Sequence, residues 1–254
     1  MTEGIEAAAK PATITAAVLI IGDEILSGRT KDRNGGYIAE YLTAIGIDLR
    51  EVRVVPDVED EIVDAVNALR ARYTYVFTTG GIGPTHDDIT ADAIARAFGV
   101  SIDEDPRAIA MLLEYIRPED MNAARRRMAR IPAGARLVVN PISKAPGFWI
   151  GNVIVMAGIP AIMQVMLDNV APQLATGVPM MSRTVRAACR EGDVAADLAT
   201  IAANHGTVSI GSYPFMENGQ YGTHLVLRSR DAQALEAAHN EVIALAARMT
   251  LAAG

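Results

Sequence analysis

The chain has 254 residues, of which 50% are hydrophobic and 5% aromatic, so it can form one large domain or two smaller ones. Its formal net charge of −7 argues against a nucleic-acid partner, which would require a basic patch. No stretch reaches the ~20 apolar residues of a membrane span, and no signal peptide is recognisable at the start. The single cysteine, Cys189, excludes an internal disulfide bond and favours the cytoplasm.

The N-terminal part of the sequence predicts strands and helices that alternate three times. Strands are predicted at 14–21, 47–55 and 73–79, and helices near Asn34, after Pro56-Asp57 as a cap, and from Thr90. Gly46 and Gly99 stand where glycines end helices. This alternation implies right-handed βαβ crossovers and a mainly parallel sheet covered by helices, an α/β fold.

The remaining sequence predicts further elements and a boundary between two domains. Helices are predicted at 106–115, 121–130 and from 157 to about 174, with short strands at 137–139, 148–150 and 153–156. Gly177-Val178-Pro179 is the best linker candidate. Beyond it the order is strand, helix, strand, strand, helix. We therefore expect a first domain at 13–178 and a small α+β (βαββα) domain at 181–252.

Two polar loops follow predicted strands and are candidates for a binding site. One spans 22–28 after the first strand, and the other spans 80–90 after the third. Parallel α/β sheets bind ligands beyond the carboxyl ends of their strands. We therefore expect the two loops to meet at one edge of the sheet and to form a single site.

The loop 80–90 carries three glycines, a proline and two adjacent aspartates. Glycines after a strand let the backbone approach a ligand closely, and the helix that follows presents the positive end of its dipole. Both features suit a phosphate. Asp87 and Asp88 repel a bare phosphate, so they fit best with a divalent cation between them and it. The alternative interpretation is a tight turn with acidic residues ahead of a helix.

Asp23 and Glu24 also have two interpretations: they end a strand in a solvated turn, or they provide oxygen ligands to Mg²⁺ or another hard cation. Ser27 and Thr30 are candidates for neutral hydrogen bonds to an anion. Asn34 is a third candidate, with a helix N-cap as its alternative role.

Three other features leave two interpretations open. His86 is either a hydrogen-bonding loop residue or a metal ligand. Arg125-Arg126-Arg127, together with Arg130, is either a solvated helix face or a contact to a phosphate or a partner. The segment 144–148, which begins with Lys144, is either a turn between strands or a second anion contact.

Several motifs together resemble the MoaB/Mog-type molybdopterin-binding domain, in the branch of the competence/damage-inducible protein A (CinA) family. In that branch the N-terminal domain is also similar to one domain of eukaryotic FAD synthases. The resemblance covers about residues 13–250. The motifs are Gly22-Asp23-Glu24-Ile25-Leu26-Ser27-Gly28, Asn34, Thr79-Gly80-Gly81-Ile82-Gly83-Pro84-Thr85-His86-Asp87-Asp88-Ile89-Thr90, Met121-Asn122, Ile131-Pro132-Ala133-Gly134-Ala135, Asn140-Pro141, Ala145-Pro146-Gly147-Phe148 and Ile210-Gly211-Ser212-Tyr213-Pro214.

The resemblance implies a three-layer α/β fold and, with the residue patterns above, a set of site residues. We expect Asp87 and Asp88 to be catalytic. The metal ligands, for Mg²⁺, Mn²⁺ or Co²⁺, are expected to be Asp23, Glu24 and Asp88. The ligand-binding residues are expected to be Ser27, Asn34, Gly80, Gly81, Gly83 and Thr85.

Two departures from the family pattern limit what the resemblance implies. Full-length members carry a C-terminal amidohydrolase domain, which this sequence is too short to hold, so that activity is not expected. The glutamate of the family's Glu-Met pair is replaced by Ile162, which places any contact of that glutamate in doubt.

Three functions follow as alternatives. The first is a metal-dependent pyrophosphatase that acts on a nucleotide diphosphate such as ADP-ribose or FAD. The second is binding or adenylation of molybdopterin, and the third is a non-catalytic regulator. The first two require a small phosphorylated ligand. A homo-oligomer is also expected, although the sequence does not specify its number of subunits.

Overall fold

The computed structural model describes residues 13–252. The alanine-rich segment 1–11 lies outside them. The chain divides into two compact units, and the division falls between Gly177 and Val178. None of the helices in this range is long and apolar enough to cross a membrane.

The first unit contains strands and helices that alternate up to α4. The elements are β1 (Thr15–Ile21), α1 (Asp23–Leu26), α2 (Asn34–Ala44), β2 (Asp48–Val55), α3 (Glu59–Arg72), β3 (Tyr75–Thr79), α4 (Thr90–Phe98), β4 (Ile102–Glu104), α5 (Pro106–Leu113), α6 (Ala123–Arg127), β5 (Arg130–Pro132), β6 (Arg136–Val138), β7 (Gly147–Ile150), β8 (Val153–Met156) and α7 (Pro160–Val170).

A six-stranded sheet forms the centre of this unit, with the order β2-β1-β3-β8-β7-β6. The first four strands are parallel, and the next two pairings are antiparallel. The third strand, β3, lies inside the sheet, between β1 and β8, and is buried from Val76 to Thr79.

Helices cover both faces of the sheet because alternate residues of β1 point to opposite sides. Leu19, with Ala17 and Ile21, packs with α3 and α4, where Ile62 and Ile94 are fully buried. Val18 packs on the other face with α2 and α7, where Leu42 is fully buried. The expected three-layer α/β fold with a mainly parallel sheet is therefore confirmed.

The segment between α4 and β6 differs from the prediction. The expected helix at 121–130 is only α6, which is five residues long and capped by Asn122, whose side chain accepts the N–H of Arg125 at 3.0 Å. β4 and β5 were not predicted and pair as a separate antiparallel ribbon. Strands of three residues are too short to show an alternating pattern in the sequence, so they could not be predicted from it. In the structure Ile131 of β5 is buried against the core.

The second unit has the predicted βαββα order, with β9 (Met181–Ala187), α8 (Glu191–Asn204), β10 (Ser209–Glu217), β11 (Gln220–Ser229) and α9 (Ala232–Ala252). Its antiparallel sheet has the order β10-β11-β9. Both helices pack on one face of this sheet, around Leu225 and Leu227, which are fully buried.

Candidate functional site

The carboxyl ends of four parallel strands bring the candidate loops to one edge of the first unit's sheet. Ile21 pairs with Val55 across β1 and β2. Ile20 pairs with Thr79, and Thr79 pairs with Met156. The residues that follow these strands are therefore neighbours, as expected for the loops 22–28 and 80–90. The loop after β2, with Asp57, and the loop after β8, with Gly158, join them.

Gly80 and Gly81 form a tight turn with left-handed φ values of 105° and 66°. A Cβ on Gly80 would lie 2.1 Å from the carbonyl oxygen of Ile21. Thr90 fixes the turn from the other side, since its hydroxyl donates to Gly80 O at 3.0 Å and its N–H donates to Gly81 O at 3.0 Å. Close packing within the protein therefore already requires both glycines.

Asn34 connects α2 to the loop after β8. Its side-chain amide donates to Gly158 O at 2.7 Å, and a Cβ on Gly158 would lie 3.3 Å from Gly80 Cα. The alternative role as an N-cap is wrong: Arg33 occupies that position, and Asp32 accepts the N–H groups of Asn34 and Gly35 at 3.0 Å. Asn34 is 5% exposed, and its Oδ1 has no partner among the described residues.

Asp88 shapes the loop that leads into α4. Its Oδ2 accepts the N–H of Thr85 at 2.8 Å and the hydroxyl of Thr85 at 2.6 Å. A Cβ on Gly83 would lie 2.6 Å from the same oxygen, so a glycine is needed there to admit the carboxylate. Thr85, Asp88 and Gly83 thus form one compact loop.

An open cleft of about 500 Å³ lies beside this loop and is acidic. Carboxylates from three segments line it, and Leu26, Ser27 and Arg29 complete its wall. The carboxylates are Asp23, Glu24, Asp57 and Asp87. The structure therefore brings Asp23, Glu24 and Asp87 together as predicted, while Asp88 lines a separate pocket.

The sequence did not identify Asp57 as a site residue. It was expected to cap α3, but Val58 is the N-cap and Asp57 Oδ2 instead accepts the N–H of Asp23 at 2.9 Å. The available signal was its position directly after β2, the strand next to β1. Position at the carboxyl edge is thus more informative than the capping preference of an aspartate.

Two carboxylates of the acidic cleft, Asp57 and Asp87, have pKa values that are shifted in opposite directions. Burial raises the pKa of Asp57 above its ordinary value. The hydrogen bond from the Asp23 N–H lowers this pKa, and the negative charges of Asp23, Glu24 and Asp87 raise it. The pKa of Asp87 is lowered, chiefly by the side chain of Thr85, with smaller contributions from its own N–H and from His86. The charged form of Asp57 is therefore disfavoured, and a cation nearby would stabilise it.

The donor chemistry of the acidic cleft fits a hard divalent cation, because carboxylate oxygens are the ligands that Mg²⁺ and similar ions prefer. In residues 13–252, however, no three His, Cys, Asp or Glu side chains are grouped closely enough to bind a metal as they stand. A bound cation would therefore require movement of these carboxylates or would keep several water ligands.

A second pocket lies on the other flank of the loop and contains two arginines. Asp88, Gly81 and Gly83 line it together with Arg127, Arg130 and Phe148. Arg127 Nη2 donates to the carbonyl oxygen of Asp88 at 3.0 Å. One arginine of the basic run therefore reaches the glycine loop. By contrast, Arg126 is on the exposed side of α6 and pairs with Glu104 at 2.8 Å.

Two other candidates do not join the acidic cleft. The side chain of His86 is 99% exposed and lies 3.9 Å from Asp87 Oδ1. Lys144 Nζ forms an ion pair with Glu114 at 2.7 Å, so a carboxylate already compensates its charge. Pro146 and Phe148, from the same segment, line the arginine pocket.

This sheet, with glycine and aspartate loops at its carboxyl edge, defines an α/β domain of the molybdopterin-binding type. The chain belongs to the family of the probable molybdopterin binding domain, whose model matches residues 17–176. Residues 179–252 match the model of the FAD synthase middle domain. The family expected from the sequence motifs is thereby confirmed.

Individual proteins agree with this assignment. The chain is 39% identical to a CinA-like protein of Desulfosudis oleivorans over 63% of this chain and 41% of that protein. It is 31% identical to a probable FAD synthase of Caenorhabditis briggsae over 88% of this chain and 48% of that protein. The crystal structure of CinA from Thermoplasma acidophilum, described as of unknown function, is 34% identical, has a TM-score of 0.61, and aligns with 64% of this chain and 99% of its own. The chain thus spans less than half of the two longer relatives.

Proposed function

We propose that the first unit is a divalent-metal-dependent pyrophosphatase that acts on a nucleotide diphosphate such as ADP-ribose or FAD. One observation carries the proposal: consecutive residues of one loop line two different sites, an acidic cleft and a pocket that contains Arg127. Asp87 lines the acidic cleft, and Asp88 lines the arginine pocket. A diphosphate that bridges a bound cation and an arginine would have its negative charge compensated from two sides.

The residues of the chain have separate tasks in this proposal. Asp23, Glu24, Asp57 and Asp87 would hold the cation, with Ser27 beside them. The bound cation would supply charge neutralisation and a water of lowered pKa. The turn at Gly80 and Gly81 leads to the N-terminus of α4, whose dipole favours a phosphate.

The reaction is a hydrolysis of the diphosphate bridge. The oxygen of a water forms a bond to one phosphorus, and the bridging oxygen leaves with the other phosphate, while the protons of water are shared between the products. ADP-ribose would give AMP and ribose 5-phosphate, and FAD would give AMP and FMN. We infer a cytoplasmic location, because the lone Cys189 suits a reducing compartment.

The experiment is a hydrolysis assay of the purified chain with ADP-ribose and FAD. Each substrate is tested with EDTA and then with Mg²⁺, Mn²⁺ or Co²⁺ in excess. We expect turnover only with a metal. Absence of turnover on both substrates with all three metals would contradict the proposed function.

A second candidate function is the binding of a pterin phosphate such as molybdopterin. Neutral buried groups near the glycine turn favour it, since Asn34 Oδ1 and Thr79 Oγ1 lack hydrogen-bond partners among the described residues. Such groups suit the N–H and carbonyl groups of a pterin ring. Equilibrium binding of molybdopterin in the absence of any hydrolysis would favour this function over the first.

A further inference from the structure

Arg127 differs from Arg126 and Arg130 in what it contacts, while Arg125, like Arg127, donates to a backbone carbonyl oxygen, that of Asp120. Arg126 pairs with Glu104, and Arg130 binds both carboxylate oxygens of Asp92 at 2.8 and 2.7 Å. Arg127 forms no ion pair with a carboxylate within residues 13–252, and its Nη2 donates to the carbonyl oxygen of Asp88. Among these residues its positive charge is therefore not directly paired with a carboxylate, although Asp88 and Asp92 line the same pocket.

The guanidinium of Arg127 is also incompletely hydrogen-bonded. Its Nε is buried and has no acceptor among the described residues. A buried N–H without a partner is unfavourable, and it is more so when the group is charged. A ligand oxygen that reached this group would remove that cost, so the arrangement favours an anionic ligand over none.

The size of the pocket beside Arg127 limits which part of a ligand can enter it. It has a volume of about 20 Å³, and its wall includes Gly81, Gly83 and Phe148. A space of this size holds about one water molecule or one oxygen atom. It is too small for a nucleobase, a sugar or an entire phosphate.

We propose that Arg127 binds a single non-bridging oxygen of the substrate's diphosphate, which enters this pocket between the guanidinium and the glycine loop. The inference rests on the proposed function for the identity of the substrate. It adds a phosphate contact from α6, an element outside the glycine and aspartate loops. The hydrogen bond to Asp88 O places the guanidinium at the loop before the ligand arrives.

Inorganic pyrophosphate is the probe for this site, because it presents the diphosphate without a base or a sugar. Its affinity is measured by titration calorimetry with excess Mg²⁺, because Asp87 and Asp88 repel a bare diphosphate, for wild type, Arg127→Gln and the control Arg126→Gln. The control removes one charge from the same helix. We expect Arg127→Gln to weaken binding about tenfold or more, because it removes hydrogen bonds to a charged group. Arg126→Gln should stay within about twofold of wild type.

Three outcomes would overturn the inference: wild type fails to bind pyrophosphate at millimolar concentration, Arg127→Gln binds as tightly as wild type, or Arg126→Gln loses as much affinity as Arg127→Gln. If Arg127→Gln does not fold, Arg127→Lys replaces it, since lysine keeps the charge and lacks the Nε–H. Its affinity should then fall below that of wild type. Pyrophosphate binding that depends on Arg127 without hydrolysis of any diphosphate would support this inference and contradict the proposed function.

Discussion

Gly81 and Thr90 share a space that admits no further atom. A Cβ on Gly81 would lie 2.1 Å from Thr90 Oγ1, while the N–H of Thr90 donates to the carbonyl of Gly81 at 3.0 Å. The sequence motif predicted that Gly81 leaves room for a phosphate. The structure adds that the turn cannot close over the start of α4 with any larger residue. A substitution at Gly81 is therefore expected to lower the stability of the protein, whatever its effect on ligand binding.

We predict that Gly81→Ala destabilises the protein far more than Gly99→Ala. Both glycines have left-handed φ values, 66° and 65°, but a Cβ on Gly99 has no heavy atom within 4 Å. Gly99→Ala should cost about 1–2 kcal/mol of unfolding free energy from backbone strain alone. Gly81→Ala should cost roughly 2–5 kcal/mol, because overpacking adds to strain.

Urea unfolding of the two variants measures this difference. The double variant Gly81→Ala with Thr90→Ala removes the hydroxyl that a Cβ would meet, so the two substitutions should cost less together than the sum of their separate costs. Equal losses for Gly81→Ala and Gly99→Ala would show that Thr90 does not restrict the turn.

The second prediction concerns pH and Asp57. Folding raises the pKa of Asp57, so the neutral form of this carboxyl stabilises the native state. This stabilisation is complete below the unfolded pKa of about 3.9 and is lost as the pH rises through the folded pKa. Ionised Asp57 therefore opposes folding at pH 7. Asp57→Asn in EDTA should raise the unfolding free energy by a few tenths to about 1 kcal/mol at pH 7, after allowance for solvent screening.

Unfolding measured at pH 7 and again near the unfolded pKa tests this prediction, because the gain should shrink as Asp57 becomes protonated. Asparagine keeps an oxygen that can accept the N–H of Asp23. Asp64→Asn, at an exposed position on α3, is the control and should change little at either pH. A gain that does not depend on pH would exclude the charge of Asp57 as its cause.

The third prediction separates a residue of the candidate site from a structural one. Asn34 and Asn152 both donate their side-chain amides to backbone carbonyls: Asn34 to Gly158 at the carboxyl edge of the sheet, and Asn152 to Arg70 and Tyr73 at the opposite edge. Either alanine variant should lose about 1–3 kcal/mol of stability. Only Asn34→Ala should also weaken the binding of ADP-ribose, by at least several-fold.

Calorimetric titration with ADP-ribose, below the unfolding temperature of both variants, provides the comparison. A matched loss of affinity in Asn152→Ala would mean that general destabilisation, and not the position of Asn34, causes the effect.

The general architecture was predictable from the sequence because long, periodic segments determine it. The apolar run of β1 and the helical spacing of Ile62, Val66 and Leu69 lead directly to buried positions. The clustering of Asp23, Glu24 and Asp87 was predictable because all three follow parallel strands. These inferences need only local periodicity and the rule that ligands bind at the carboxyl edge.

What the sequence did not predict depends on contacts between distant segments. Asp57 bonds to Asp23, 34 positions away, and Arg127 bonds to Asp88, 39 positions away. Local preference indicated a helix cap for Asp57 and left the role of Arg127 open. Neither contact has a signature in the spacing of residues, so only the folded chain identifies them.

The last prediction concerns Asp88 in the proposed hydrolysis. Its carboxylate accepts two hydrogen bonds from Thr85 and lines the arginine pocket, so it has two separable roles: it fixes the loop, and it contributes charge. Asp88→Ala removes both roles and should lower kcat for ADP-ribose hydrolysis about 100-fold or more. Asp88→Asn keeps an oxygen for Thr85 and loses only the charge. Asp64→Ala, at an exposed position on α3, is the control and should retain wild-type turnover.

The two Asp88 variants together assign the role. If the charge is required, Asp88→Asn should be as inactive as Asp88→Ala while its unfolding free energy stays close to that of wild type. If Asp88 only fixes the loop, Asp88→Asn should keep most of its activity, because the bonds to Thr85 can still form. Full activity in Asp88→Ala would remove this residue from the mechanism.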